Sequence, residues 1–349
     1  MKDVLDDNFI DDVDRSSLAN SASAAMVNGL GDKWSYYMTA DEYKTYQLYS
    51  SNEYADIGMS IIKDENSGGF QVVSVSLGAP AANAGLTAGM VITSVDGIDV
   101  TGLDSDDVRT LIRSRLNTKF TIGVLGSKEL LNVDCSYTYV SPVFSRLEKT
   151  EAGYVKIDNF EAGSGQDAVD AIESLLDQGA TALVIDLRGN AGGLASEATV
   201  LLDYLLPNCD LFCTVGKDGK KDMVKSDSVC LNLPTVVLVN TGTYSEAEVF
   251  AAVMQEQGWA TIMGETTQGK TRTQQTIELS DGSAVRLSTR RYLTAKGTDI
   301  SRTGVVPDSI VYNSDASTVG TTDGTTGITD GSASTSSDEQ LMAALRLLS

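Results

Sequence analysis

The second half of the chain alternates apolar runs with amphipathic stretches. Residues 153–160, 182–187 and 235–239 are short and mostly apolar, which is typical of strands buried on both faces of a sheet. Residues 166–178 and 245–257 instead place apolar side chains on one face at helical spacing, and a glycine follows each stretch. Alternation of buried strands with helices predicts an α/β fold for this half.

Residues 53–138 have a different pattern, in which short β-type runs are separated by Gly, Asp and Asn turns. The expected strands cover residues 59–62, 70–75, 90–95 and 120–124. Two helical patches interrupt them. One follows Pro80, and the other covers 103–112, with Thr101 expected at its start. This mixture within roughly 85 residues predicts a small, compact module.

The two ends of the chain differ from both regions. The start is polar and helical in pattern, and Thr39 before Asp41 and Glu42 resembles the N-cap of a short helix. A Ser, Thr and Gly-rich stretch near the end predicts a flexible linker, and the last residues form an amphipathic helix. We expect that helix to dock on its own core or on a second copy, so the terminal helices are candidates for a homodimer contact. The expected domains are a helical segment (1–52), the small module (53–138), the α/β core (139–313), the linker (314–337) and the last helix (338–349).

Composition narrows the chemistry that these domains can perform. The chain has 349 residues, with 26 Lys and Arg, 48 Asp and Glu, no histidine and a formal net charge of −22. Without histidine there can be no Ser-His-Asp triad, no Cys-His pair and no His-ligated metal site. The negative charge disfavours nonspecific binding to nucleic acids and to anionic membranes. The cysteines form no CxxC pair, so free thiols are favoured over a zinc site and a disulfide stays open; they are Cys135, Cys209, Cys213 and Cys230.

A nucleophile in a chain without histidine needs another base, and a serine with a lysine is the remaining pair at neutral pH. Such a lysine must be desolvated so that its amine loses its proton. Lys270 follows an apolar run and a glycine, whereas most other lysines lie in acidic stretches. Ser245 lies between a buried strand and a helix, where free helix N–H groups gather. From its position alone, Ser245 is more simply interpreted as an N-cap.

A glycine-containing loop after the strand at 182–187 strengthens the catalytic interpretation. This loop carries Asn190 and the pair Gly192 and Gly193, whose backbones can approach a substrate carbonyl closely. Their amides could supply one donor of an oxyanion hole, and the backbone amide of Glu246 could supply the other. The alternative is an ordinary glycine-rich turn. This loop matches neither GxGxxG nor GxxxxGK[ST], so it is not a nucleotide-binding motif.

These segments together resemble the carboxyl-terminal processing proteases, or tail-specific proteases, of peptidase family S41. The resemblance runs from about residue 25 to residue 312 in consistent order. Its parts are GLGDKWSYYMTADEY, the PDZ-like GAPAANAGLTAGMVITSVDG, DLRGNAGG, NTGTYSEAE, GETTQGKTRTQ and LSDGSAVRLSTRRYLTAKGTDI with GVVPD. The resemblance implies a ClpP/crotonase-like α/β core with an inserted PDZ domain and a helical N-terminal segment.

The resemblance also implies roles for individual residues. Ser245 would be the nucleophile, Lys270 the general base and Gln274 the side chain that orients the amine. The amide of Gly192 or Gly193, together with that of Glu246, would form the oxyanion hole. No metal or organic cofactor is implied, and the partners would be the C-terminal tails of proteins. The resemblance further implies an extracytoplasmic location, with an export segment outside this sequence.

Three positions depart from the family pattern. Tyr244 and Glu246 replace small residues on either side of the serine, and we expect the Glu246 carboxylate to point outward. An inward carboxylate would keep Lys270 protonated. The peptide-binding loop of the PDZ-like module has Asp56 in place of glycine, and this carboxylate would repel an incoming chain terminus; the loop residues are Asp56, Ile57, Gly58 and Met59. Strand addition along 58–62 remains available.

Two other functions are compatible with these residues. The substituted positions could mark a catalytically silent protein that binds peptides through its PDZ domain without cutting them. The same α/β core could instead hydrolyse a non-peptide acyl group, although a PDZ-like module favours a peptide substrate.

Overall fold

The computed structural model describes residues 2–75, 78–227, 230–313 and 338–349, so the linker expected at 314–337 lies outside the described residues. The helices are α1 (Lys2–Asn8), α2 (Arg15–Asn28), α3 (Ala40–Ser50), α4 (Pro80–Asn83), α5 (Ser105–Arg113), α6 (Ser164–Asp177), α7 (Ala195–Leu205), α8 (Glu246–Glu256) and α9 (Glu339–Leu348). Within this part of the chain, the helices all fall short of the length and apolarity needed to cross a membrane.

The strands of the first half are β1 (Tyr36–Met38), β2 (Glu53–Asp56), β3 (Met59–Lys63), β4 (Phe70–Val75), β5 (Val91–Val95), β6 (Ile98–Asp99), β7 (Lys119–Val124), β8 (Leu131–Asp134) and β9 (Ser136–Tyr139). Those of the second half are β10 (Val143–Leu147), β11 (Ala152–Ile157), β12 (Ala182–Asp186), β13 (Asp210–Gly216), β14 (Lys221–Lys225), β15 (Thr235–Val239), β16 (Thr261–Gly264), β17 (Arg272–Glu278), β18 (Ala284–Thr294) and β19 (Ser309–Ile310).

The central sheet of the α/β core has the order β10-β11-β12-β15-β16-β19. Within this sheet, β11, β12, β15, β16 and β19 run parallel, and β10 pairs antiparallel with β11 at one edge. Every residue of β12 and of β15 is buried, which confirms the strands predicted from their apolar runs. The parallel sheet with its connecting helices confirms the α/β prediction.

Helices cover both faces of this sheet. Helices α6, α7 and α8 pack on one face, where they share an apolar core with alternate residues of β12 such as Leu183 and Ile185. Helix α9 covers the opposite face against Val184 and Val236. The last helix therefore docks on its own core, the first of the two expected arrangements.

A cation anchors the start of α9 beside the glycine-containing loop. The guanidinium of Arg188 lies 2.5 Å from Asp186 and 2.7 Å from Asp338, the residue before α9. Asp338 also accepts a hydrogen bond from the backbone N–H of Leu341 inside the helix, at 3.0 Å. Because both carboxylates are largely buried, these contacts fix the loop and the helix together.

A second sheet places the N-terminal segment against the core, with the order β1-β18-β13-β14 and β17 paired to β18. Residues 1–52 were expected to be helical, yet Tyr36–Met38 form β1 and pair with β18. Strand β1 is only three residues long, too short to give a periodic signal. Thr39 does begin α3, in a capping box with Glu42, as its sequence predicts.

The small module is built on a sheet of order β3-β4-β5-β7-β8, with β6 paired to β5. Strand β3 is an edge strand, and a ribbon of β2 and β9 connects the module to the rest of the chain. Helix α5 begins after Asp104, whose carboxylate accepts from the N–H of Asp107 at 2.8 Å, so Thr101 was the wrong lead residue. Thr101 instead donates to Asp99 at 2.7 Å.

Candidate active site

Ser245 lies in the connection from β15 to α8, at the carboxyl end of a central parallel strand. Its backbone has φ 60° and ψ −127°, a conformation that costs a residue with a Cβ atom on the order of 1–3 kcal/mol. The residue occupies the N-cap position, but its hydroxyl does not cap the helix. Ser245 Oγ donates instead to Glu246 Oε2 at 2.5 Å. This serine therefore has a strained backbone and a hydroxyl that is free of a capping role.

Glu248 holds the helix start and the lysine loop together, a role that the sequence reasoning missed. Its carboxylate is fully buried and accepts from the backbone N–H groups of Ser245 at 3.0 Å, Gly269 at 2.6 Å and Lys270 at 2.7 Å. Thr267 Oγ1 donates to it at 2.5 Å. A glutamate three residues after a serine is the spacing of a capping box, so the sequence did carry a signal for this contact.

Lys270 extends into a slot between two aromatic rings. Its Nζ lies 4.5 Å from the ring centroid of Trp34 and 5.3 Å from that of Tyr244. Burial in this slot lowers the pKa of Lys270, while the neighbouring carboxylates, Glu246 foremost, act in the opposite direction. The expected desolvation of the lysine is therefore present, and aromatic side chains produce it.

Ser245, Lys270 and Gln274 line one cleft of about 630 Å³, with walls from the N-terminal segment and the two sheets. In the described part of the chain, Lys270 Nζ and Ser245 Oγ form no hydrogen bond with each other. Among the described residues, Gln274 Nε2 is buried without a hydrogen-bond partner, the lysine amine included. The orienting contact implied for Gln274 is thus absent from this conformation.

The two glycines of the loop have different partners. The N–H of Gly192 donates to Asn190 Oδ1 at 2.8 Å, so Asn190 occupies this amide and fixes the turn. The N–H of Gly193 donates to Glu246 Oε2 at 3.1 Å, beside the Ser245 hydroxyl. A Cβ atom on Gly192 would lie 2.7 Å from Ser245 Cβ, and one on Gly193 would lie 2.3 Å from the backbone of Phe160. Both positions therefore require glycine.

The Glu246 side chain points inward, so the expectation that it would face outward was wrong. One carboxylate oxygen accepts from both Ser245 Oγ and the Gly193 N–H. The other accepts from the buried hydroxyl of Tyr292 at 2.8 Å. The carboxylate thus occupies the place between nucleophile and amide where a substrate oxygen would bind. Tyr292 lies 46 residues further along the chain, so no local pattern could reveal this contact.

Glu161 is a further acidic side chain of the cleft that the sequence reasoning did not identify. Burial, followed by the charge of Glu246, raises its pKa to about 8. One of its carboxylate oxygens is buried without a hydrogen-bond partner. Glu161 is therefore mainly protonated at neutral pH.

If Lys270 is the general base that the resemblance implies, the reaction rate should increase as the pH rises through the pKa of Lys270, because only the unprotonated amine can accept a proton. Glu246→Gln removes a charge that raises this pKa, so the rising limb of the profile should shift to lower pH. The profile of kcat/KM for a peptide without titrating side chains measures the shift. Glu278→Gln, on the exposed side of β17, is the control and should leave the limb unmoved. An unshifted limb in Glu246→Gln would contradict the assignment of Lys270 as base.

The loop of the small module that the resemblance implies would bind peptides carries its own carboxylate. Asp56 Oδ1 accepts from the N–H of Ile57 at 2.7 Å and from that of Gly58 at 3.0 Å. Met59 follows as the first residue of edge strand β3. The amides that a chain terminus would use are therefore engaged by Asp56, while the edge of β3 is open for pairing.

Comparisons with known proteins agree with this architecture. Residues 151–311 match the model of peptidase family S41, and residues 71–125 match that of a PDZ domain. The carboxy-terminal processing protease CtpA of Bacillus subtilis is 33% identical over 300 residues, which cover 84% of this chain and 64% of that protein. The chain thus spans somewhat less than two thirds of that relative.

Two further comparisons cover larger shares of the relatives. The chloroplastic C-terminal processing peptidase of Tetradesmus obliquus is 30% identical over 317 residues, which cover 85% of this chain and 68% of that protein. A solved structure of a photosystem II D1 C-terminal processing protease is 27% identical, with a TM-score of 0.54 over 89% of this chain and 85% of that one.

Proposed function

Since the chain belongs to the carboxyl-terminal processing proteases of peptidase family S41, we propose that it is a serine endopeptidase that cleaves unstructured C-terminal regions of proteins. One observation carries the proposal. A strained serine, a desolvated lysine and a glycine amide meet in a single cleft of a chain without histidine.

In the proposed reaction Lys270 accepts the proton of Ser245 as Oγ attacks the scissile carbonyl carbon. The backbone amides of Gly193 and Glu246 stabilise the negative oxygen that forms. The C–N bond then breaks and the proton passes from Lys270 to the leaving amine. Water hydrolyses the acyl-enzyme, and Ser245 regains its proton.

Two rearrangements must precede this reaction. The Ser245 hydroxyl must turn from Glu246 toward Lys270, and the Glu246 carboxylate must leave the Gly193 amide so that a carbonyl oxygen can bind. Gln274 then has a buried amide available to orient the lysine amine. The observed position of the Glu246 carboxylate, between the Ser245 hydroxyl and the Gly193 amide, also supports the alternative of a catalytically silent peptide-binding protein. In that protein the carboxylate would stay in this position.

The PDZ domain would deliver the substrate. We propose that a protein tail adds as a strand along 58–62, at the open edge of β3. We further propose an extracytoplasmic location, in keeping with relatives whose names call them chloroplastic. A homodimer contact would involve the N-terminal helices, because the apolar face of α9 already packs on its own chain.

Incubation with a disordered peptide, followed by mass spectrometry of the products, tests the proposal. Internal cleavage by the wild-type chain, and none by Ser245→Ala, is the expected result. Peptide binding without any cleavage product would favour the catalytically silent peptide-binding protein and overturn the proposed protease function. A binding measurement on the same two proteins separates that case from a peptide that is not recognised.

A further inference from the structure

Glu161 lies beside the glycine-containing loop of the active-site cleft, in the connection that follows β11. The N–H of Phe160 donates to the carbonyl oxygen of Gly192 at 2.8 Å, and the N–H of Leu194 donates to that of Phe160 at 2.6 Å. These bonds fix the backbone of Glu161 next to Gly193, where an added Cβ atom would lie 2.7 Å from the Glu161 nitrogen. The Glu161 side chain is only 4% exposed and lines the cleft. Its carboxyl group would therefore lie close to the scissile bond of a bound peptide.

The Glu161 carboxyl group lacks the partners that neighbouring buried acids have. Glu246 accepts hydrogen bonds from three donors and Glu248 from four. In the part of the chain that the structure describes, Glu161 Oε2 is buried without any hydrogen-bond partner. A buried polar atom without a partner costs free energy, so most such atoms in proteins are paired. An exception that faces a substrate cleft is a candidate contact for the substrate.

The cations of the cleft are held by aromatic rings and leave this carboxyl group without a charge partner. Lys270 Nζ lies 4.5 Å from the ring centroid of Trp34, and the Arg286 guanidinium lies 5.0 Å from that of Tyr46. Among the described residues, neither forms an ion pair with Glu161.

The charges around Glu161 favour an additional cation. Burial, followed by the charge of Glu246, raises the pKa of Glu161 to about 8, and Glu197 acts in the same direction. Only Lys270 among the named charges acts against this rise. A positive group beside Glu161 would therefore offset the cost of ionising it there.

Tyrosine side chains form part of the cleft wall near this carboxyl group. Tyr36, Tyr49 and Tyr244 all line the cleft. Burial raises the pKa of Tyr49 and the charge of Glu161 adds to the rise, so this ring lies near the carboxyl group. Aromatic faces attract cations and also pack against the methylene groups of a long side chain. An acid beside an aromatic wall is therefore suited to a lysine or an arginine.

We propose that Glu161 binds a basic side chain, lysine or arginine, of a substrate residue that flanks the scissile bond. The inference rests on the proposed protease function and adds a substrate preference to it. The substrate cation would donate to the oxygen that is unpartnered among the described residues and would favour the ionised carboxylate. The net charge of −22 would also favour the approach of a basic peptide.

The test uses a disordered peptide whose cleaved bond has been mapped by mass spectrometry. The residue on either side of that bond is replaced in turn by lysine, methionine or glutamine. At one of these positions, wild type should cleave the lysine peptide about 10-fold or more faster in kcat/KM than the methionine peptide, and Glu161→Gln should lose this preference. Because both peptides meet the same enzyme, any effect of Glu161→Gln on the pKa of Lys270 cancels in the ratio.

Two further variants make the test specific. Glu42→Gln removes another carboxylate of the same cleft, one that accepts from the N–H and the hydroxyl of Thr39, and it should keep the preference. Glu161→Asp keeps the charge on a shorter side chain and should retain part of the preference. Continued cleavage of the methionine peptide by Glu161→Gln shows that this variant is folded.

Three outcomes would overturn the inference: equal cleavage of the lysine and methionine peptides by wild type at both positions, an undiminished preference in Glu161→Gln, or an equal loss in Glu42→Gln. If the glutamine peptide is cleaved as well as the lysine peptide, an uncharged donor suffices and recognition of a basic side chain is wrong.

A binding measurement separates failure of the inference from failure of the protease function. A disordered peptide with several lysines, and the same peptide with methionine in their place, are titrated against Ser245→Ala. The lysine form should bind more tightly, and adding Glu161→Gln should abolish the difference. Equal affinities of the two forms for Ser245→Ala would count against the subsite even if no peptide is cleaved.

Discussion

Replacing Ser245 with alanine should lower kcat/KM for a disordered tail peptide by at least ~10³-fold, because the change removes the atom that forms the acyl-enzyme. The fold should be retained, since the Ser245 hydroxyl donates to Glu246 and the hydrogen bond to Glu248 uses the backbone N–H. Initial cleavage rates followed by mass spectrometry measure kcat/KM. An unfolding curve on the same preparation measures whether the fold is retained.

Lys270→Met should cause a loss of similar size, because methionine fills the slot between Trp34 and Tyr244 but cannot accept a proton. The matched control is Lys296→Met, an exposed lysine whose amine donates to the backbone of Glu256. The control should retain wild-type activity. Full activity in either Ser245→Ala or Lys270→Met would rule out the Ser-Lys mechanism.

Glu246→Ala should raise kcat/KM by about 10- to 100-fold, the second large effect. The substitution frees the Gly193 amide and the Ser245 hydroxyl from the carboxylate while leaving the backbone N–H of residue 246 in place. One oxyanion donor is worth on the order of 10²–10³ in rate, which sets the upper range of the gain. Steady-state kinetics with the peptide used for the serine variant measures it.

The gain must be separated from a change in folding, because the buried Tyr292 hydroxyl loses its acceptor in Glu246→Ala. That loss costs roughly 1–3 kcal/mol of unfolding free energy. Glu246→Gln keeps an acceptor for Tyr292 and removes only the charge, so it should give a smaller gain at wild-type stability. A large loss of activity in both variants would mean that Glu246 takes part in the reaction instead of blocking it.

Most of the local structure was predictable because its signals lie within short stretches. Apolar runs predicted β12 and β15, and helical spacing predicted α6 and α8 to within a few residues. Strand β1 escaped because three residues carry no period, and it forms only by pairing with β18. The predicted start of α5 was wrong because two polar residues could precede the helix. Thr101 is hydrogen-bonded to Asp99 in the preceding turn.

The sequence by itself limited which chemistry is available, since a chain without histidine leaves a serine with a lysine as the remaining candidate pair of nucleophile and base. The resemblance to the family also implied that Ser245, Lys270 and the glycine-containing loop belong to one site. Only the tertiary structure decided how the charged side chains of the site are oriented. Glu246 turns inward because Tyr292 and Gly193 donate to it. Such contacts join residues far apart in the chain, and each depends on which donors the folded backbone brings within hydrogen-bonding distance.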